Sequence, residues 1–434
     1  MFTRSRKLAI AATAGAIAVA LVSCSGGGET SSGGATYDPN EEVTLDFAFW
    51  GNDVRAEMYD EALAAFMEEH PNITVRSTFL GFPEFWEKRQ TEAAGRQLPD
   101  VMQFSEQYLR QYTQSGLLLD LTPYLGNIIA TDGFEDESFL QLGEVDGVIS
   151  GIATSVNTWG LFTNADALDA AGVDPFDGGS WADYQSWMTE VTDAGGSSGV
   201  SGGTDWTGRI QNFQLQLRAE GSELFNEDGT PGFDEKRLAE FWESGAELRD
   251  GIAVPQQQLE ERYPLTGMDT GLTASELNWD NMGTSYVENL GVDAEQIDLV
   301  APPVTVEGAK DMYLKSSMLH TVSANTEQPE AAALLVDFLV NDPVVGEIFG
   351  TDRGVPASTT QLAGVDLTGI DAQVQEYEES IADRIGDPPP VPIVGYGSIE
   401  EKFRQMGVEL GLGTVTVDQA VDEFFSEMDV ILDQ

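Results

Sequence analysis

Cysteine is almost absent: a single thiol, Cys24, stands in 434 residues. One chain can therefore close no disulfide on itself, and a multi-cysteine zinc site is excluded with it. Histidine is nearly as scarce. His70 stands beside Pro71 and His320 lies between apolar residues, and neither belongs to a recognisable catalytic or metal-ligand motif. Basic side chains are the third shortage, with 21 Lys and Arg against 74 Asp and Glu, a formal net charge of −53. Charge of that sign repels phosphates and anionic headgroups, which excludes nucleic-acid binding. No G-x-x-x-x-G-K-[ST] phosphate loop occurs, so any ATP hydrolysis belongs to a partner chain. Nothing in the chain calls for a cofactor or a metal. The acids spaced through 225–237 have neither the ligand spacing nor the terminal Glu of a calcium loop. The stretches GGSSG (195–199) and GVSGG (199–203) satisfy G-x-S-x-G, but a nucleophile elbow needs a strand before it and a helix after it. Both read as loop.

Long apolar runs are also few, and the clearest explains the lone thiol. Arg4, Arg6 and Lys7 precede the nearly unbroken Ala, Ile, Leu, Val and Gly run 8–22, a charged region followed by an apolar one. That is the pattern of a secretory signal peptide over 1–23, too short and alanine-rich for a membrane span of roughly 20 apolar residues. Leu21, Val22 and Ser23 lead directly into Cys24 and resemble the bacterial lipobox, in which the cysteine is acylated and becomes the first mature residue. The segment 24–42 then reads as an acylated cysteine and a flexible Gly/Ser linker that holds a folded domain off the extracytoplasmic face of the membrane. The acidity is read as solubility of that tethered domain, with adaptation to salt or acid left open.

Periodicity describes the rest. Residues 43–49 alternate as a strand, Tyr59, Ala62, Leu63, Phe66 and Met67 recur at helical spacing until Pro71, and 73–75 resume the two-residue period. Strand, helix and strand within about 35 residues make a βαβ unit with parallel strands and a right-handed crossover. A helix over 83–94, a strand over 100–104 and a helix over 106–115 continue it. In open parallel sheets ligands bind beyond the carboxyl ends of the strands, where Trp50 and Asn52 follow the first strand, and Gln103 and Ser105 close the third. Further on, Gly172 and Pro175 close a helix begun near Asn164, and Ser180 with Asp183 forms a capping box. An Asp-Gly turn within 225–237 marks a hairpin, with Asp234 capping the helix after it. Residues 151–155 suit an extended passage between two lobes.

Five segments carry a family resemblance: LPDVMQFSEQYLRQYTQSGLLLDLTPYL (98–125), VDGVISGIATSVNTWGLFTNADALDAAGVDPF (145–176), SWADY (180–184), AAALLVDFLVNDP (331–343) and RGVPAS (353–358). Together, and in this order, they resemble the extracellular solute-binding proteins, family 1, of carbohydrate ABC transporters, from residue 43 to the end. The resemblance implies an α/β, two-lobed periplasmic-binding-protein-like fold of type II, with an interlobe cleft and hinge crossovers. It places lobe 1 at 43–152 plus 306–358 and lobe 2 at 153–305 plus 359–434. It further implies a mono- or oligosaccharide ligand, ABC permease subunits with the ATPase on a separate chain, and a monomer.

A sugar presents hydroxyl rims and flat C–H faces, so its site combines aromatic faces with polar side chains. Beyond the first lobe the residues that fit are Asn157, Trp159, Trp206, Trp279, Asp280, Arg353 and Tyr396; Trp86, Trp187 and Trp242 fall in helical patterns and read as core. A glycoside hydrolase or lyase stays open, because two catalytic carboxylates are defined by geometry rather than spacing. So does a binding protein for a non-sugar solute or for a membrane sensor.

Overall fold

The computed structural model describes residues 39–51, 53–134, 138–197, 199–226 and 228–432; the signal peptide, Cys24 and Asn52 lie outside the described residues. Eleven strands are described: β1 Val43–Trp50, β2 Ile73–Leu80, β3 Val101–Phe104, β4 Glu144–Val145, β5 Val148–Ile149, β6 Ile152–Asn157, β7 Trp159–Asn164, β8 Ser275–Trp279, β9 Ile297–Val300, β10 Lys315–Val322 and β11 Val355–Pro356. They form a six-stranded sheet in the order β11-β6-β10-β3-β1-β2, a three-stranded sheet in the order β8-β7-β9, and the ribbon β4-β5.

The first sheet grows from the expected βαβ unit. β1 pairs in parallel with β2 and β3. Val43, Leu45, Phe47 and Phe49 are buried, and so are Tyr59, Ala62, Leu63 and Phe66 on the helix Asp53–Glu69. That matches the apolar stripe read from period, and burying it is what holds an amphipathic helix on a sheet. The sheet is nevertheless mixed: β10, more than 200 residues later, lies antiparallel between β3 and β6. Its residues are nearly all buried, so they show no alternation that would place them. In the ribbon, the turn residues Asp146 and Gly147 have φ of 53° and 81°, the left-handed pair that a two-residue hairpin turn requires.

The second sheet is antiparallel throughout. Its core draws on Trp159, Leu161 and Leu277 together with Phe213, Trp242, Phe403 and Phe424 from surrounding helices. Local signals hold here. Asn164 caps the helix Ala165–Ala171, which Gly172 ends in the left-handed region. Ser180 and Asp183 form a complete capping box on Trp181–Ala194, and Asp234 accepts from the Arg237 N–H. The Gly/Ser stretch after residue 194 follows that helix rather than a strand, so it is no nucleophile elbow.

Only Thr158 separates β6 of the first sheet from β7 of the second. Residues 152–155 pair within the first sheet, so the passage falls at Thr158 itself. The chain returns through 301–314 and leaves again after β11. Thr158 ties two of these passages together: its hydroxyl donates to the Tyr313 carbonyl at 2.9 Å, and its N–H donates to Asp280 Oδ2 at 2.9 Å.

Candidate ligand-binding cleft

The helix Glu106–Gln114 starts one residue beyond β3, with Ser105 at its N-cap position. Successive turns of this helix point Glu106, Gln107 and Arg110 into a chamber of about 610 Å³. The opposite wall carries Trp279 from the end of β8, Tyr313 from the return passage, and Tyr396 and Glu400 from the helix Tyr396–Gly411, with Lys315 at the start of β10 between the walls. Pro388, Pro389, Pro390 and Pro392 line one side. The cleft therefore lies between elements of the two sheets, beyond the carboxyl end of β3, where the crevice rule places it.

Trp279 is partly buried, with its ring edge-on to Trp159 at 5.0 Å and to Tyr313 at 6.3 Å between centroids. The ammonium of Lys315 stands 4.7 Å from the Trp279 centroid and 3.6 Å from Glu106. Arg110 meets Asp146 at 3.3 Å and donates to the Val391 carbonyl at 3.0 Å, which joins the first-lobe helix to the proline-rich wall.

Glu400 divides the cleft. It accepts from Gln211 at 2.6 Å and from Gln107 at 3.4 Å, and all three also line a second chamber of about 1040 Å³ that continues past Tyr108, Arg209 and Arg404. Burial pushes the Glu400 carboxyl up, and the Gln211 hydrogen bond opposes the shift. The combination of aromatic rings with carboxylates and amides can take up C–H faces and accept hydroxyl protons at once. Among the described residues no cluster of His, Cys, Asp and Glu is placed to hold a metal ion.

Of the residues singled out from sequence, Trp279 and Tyr396 line the first chamber. Trp50 packs edge-on against Phe82 and Phe85 and reaches Trp86, which stacks on Tyr108 at 3.9 Å, leaving Trp50 two rings behind the second chamber. Gln103 and Arg353 are brought together, but inside the first lobe: Tyr59 donates to Gln103 Oε1 at 2.8 Å, and Arg353 reaches the same hydroxyl at 3.5 Å while covering the Phe349 ring at 3.7 Å. Asn157 is buried beside Gly354, whose φ of 95° and contact with the Asn157 amide leave no room for a side chain. Trp159 is buried and donates through its indole N–H to Asn212 at 2.7 Å. Trp206 is buried between Trp181 and Phe241, so its faces are covered by protein. Asp280 is fully buried on Thr158. Trp86 and Trp242 are core, and Trp187 packs partly buried on it, as their spacing implies.

Glu106, Gln107, Arg110, Gln211, Tyr313, Lys315 and Glu400 line the first chamber without having stood out in the sequence. A signal existed for the first three, which occupy one side of a helix that begins where β3 ends. The prolines of 388–392, unable to donate to a sheet, were a second signal. Lys315 and Glu400 sit in an ordinary strand and an ordinary helix and are brought here by topology alone.

Residues 51–345 match the family model described as bacterial extracellular solute-binding protein. The chain is also similar to three solved structures. One is an extracellular solute-binding protein family 1 from Alicyclobacillus acidocaldarius, at 26% identity and TM-score 0.71 over 92% of this chain and 100% of that one. Another is a periplasmic oligogalacturonide binding protein from Yersinia enterocolitica in complex with saturated digalacturonic acid, at 21% and 0.75 over 90% and 99%. The third is an ABC substrate-binding protein from Listeria monocytogenes in complex with cycloalternan, at 20% and 0.72 over 91% and 100%. The last two show a shared fold.

Proposed function

Because the chain belongs to the bacterial extracellular solute-binding proteins, we propose that it captures a sugar, an oligosaccharide, between its two lobes and delivers it to an ABC permease whose ATPase is a separate chain. The observation that carries this is the aromatic wall of Trp279, Tyr313 and Tyr396 facing the acids and amides of the helix Glu106–Gln114. A pyranose face stacks on an indole, and carboxylates and amides fix its hydroxyls. The two chambers, continuous past Glu400, suit a ligand longer than one sugar ring. The oligosaccharide ligands of the Yersinia and Listeria proteins support the same reading.

A sugar ring on Trp279 takes the place of the Lys315 ammonium, and Glu106 is the anion beside it that retains the displaced cation. The lobes then close about the crossover at Thr158, with no chemical step, because a ligand bound mainly by the closed form shifts the population towards it. The monomer stands off the membrane on acylated Cys24 and its linker. Calorimetric titration with neutral and acidic oligosaccharides tests the assignment. A sugar that binds and is recovered unhydrolysed supports a carrier, whereas release of shorter products identifies a hydrolase.

If a ring covers about 50 Å² of the indole at about 25 cal/mol per Å², the direct apolar contribution of Trp279 is near 1 kcal/mol. Truncation also loosens the neighbouring rings, so Trp279→Ala is expected to weaken binding about tenfold or more. Unchanged affinity would remove Trp279 from the site.

A further inference from the structure

Resting on the oligosaccharide reading, we propose that the first chamber is built for uncharged sugars and rejects uronates, because the two described cations that line it, Arg110 and Lys315, are already engaged by carboxylates of the protein. Among the described residues Arg110 and Lys315 are the cations that line the first chamber. Each already faces a carboxylate of the protein. Arg110 is 3.3 Å from Asp146 and Lys315 is 3.6 Å from Glu106. Arg110 is held further by the Val391 carbonyl.

The acids are arranged the other way. Glu400, at the junction of the chambers, is met by two amides, and Glu144 adds a further carboxylate to the first chamber. A uronate in the first chamber must therefore strip a cation from its carboxylate, or lie among the acids Glu144 and Glu400. Specificity of this kind is set by what opposes the wrong ligand as much as by what attracts the right one. A neutral sugar meets no such opposition: Glu400, Gln211 and Gln214 accept its hydroxyl protons, and the ion pairs stay whole. The net charge of −53 acts in the same direction at longer range, repelling an anionic ligand before it reaches the cleft.

Calorimetry on the wild-type protein with matched pairs tests this: galactobiose and digalacturonate, cellobiose and cellobiouronic acid, xylotriose and its glucuronosylated form. Like-charge juxtaposition costs several kcal/mol, so a uronate is expected to bind roughly 100-fold more weakly, or worse, than the neutral partner that binds. Glu106→Gln, which frees Lys315, is expected to raise uronate affinity about tenfold. Asp146→Asn, which frees Arg110, is an independent second variant should the first fail to fold. A uronate that binds wild type as tightly as its neutral partner overturns the inference and leaves the sugar assignment standing. Binding of no member of either set overturns the sugar assignment, and this inference with it.

Discussion

At the scale of the residue, Trp242 and Trp279 separate core from cleft. Trp242 is fully buried among Phe403, Phe424 and their neighbours, and Trp279 shows part of its ring to the first chamber. Trp242→Ala is expected to cost roughly 3 to 5 kcal/mol of stability through the cavity it leaves, while protein that still folds keeps near-normal sugar affinity. Denaturant unfolding and calorimetry on the same sample measure both quantities, and a large loss of affinity without loss of stability would place Trp242 in the site instead. What the sequence made legible at this scale was chemistry rather than position. A tryptophan in a polar stretch reads as a ligand platform, and Trp279 lines the first chamber. Trp206, in a stretch just as polar, is enclosed by Trp181 and Phe241, which arrive from elsewhere in the chain and leave no local signature.

At the scale of the element, β8 carries buried carboxyls to the crossover. Glu276 lies 4.0 Å from Arg209, and burial pushes its carboxyl up to about 7. Asp280 faces Glu378 on the helix Ile370–Ser380; Asp280 Oδ1 and Glu378 Oε1 are both buried without a donor, so two carboxylates meet there unless one holds a proton. Burial raises both groups, and Asp280 raises Glu378 further, while the Thr158 N–H, the hydrogen bond with Glu378 and the Lys315 charge pull Asp280 back. A carboxyl raised in the folded state binds more protons there than in the unfolded chain, so its contribution is full below the unfolded value near 4 and is lost as pH climbs through the folded one. Thermal stability should accordingly rise as pH falls from about 8 to about 5, and Asp280→Asn should flatten that slope, since an amide can donate to Glu378 at any of these pH values. An identical slope in wild type and variant would mean that the pair is not protonated in the fold. Elements with their own period or caps, such as β1, the helix Asp53–Glu69 and the box at Ser180, were legible in advance. β10 was not: an almost wholly buried strand carries no alternation, and its partners β3 and β6 lie far from it in sequence.

At the scale of the whole molecule, the anchor proposed at Cys24 is open to a direct test. Cys24→Ser is expected to move the protein from the membrane fraction into the medium or periplasm, and mass spectrometry finding an unmodified thiol on the mature wild-type chain would remove the anchor. The excess of acids repels anions at long range. The fold class was readable because its segments occur in a fixed order; of the chamber, Trp279 and Tyr396 were singled out in advance, whereas Gln211, Lys315 and Glu400 are brought to it from elements far apart in sequence. Closure of that cleft on a sugar is the central claim. Small-angle scattering with and without the oligosaccharide that binds tests it most directly: the radius of gyration is predicted to fall at saturation, and an unchanged profile with the site filled would contradict capture by closure.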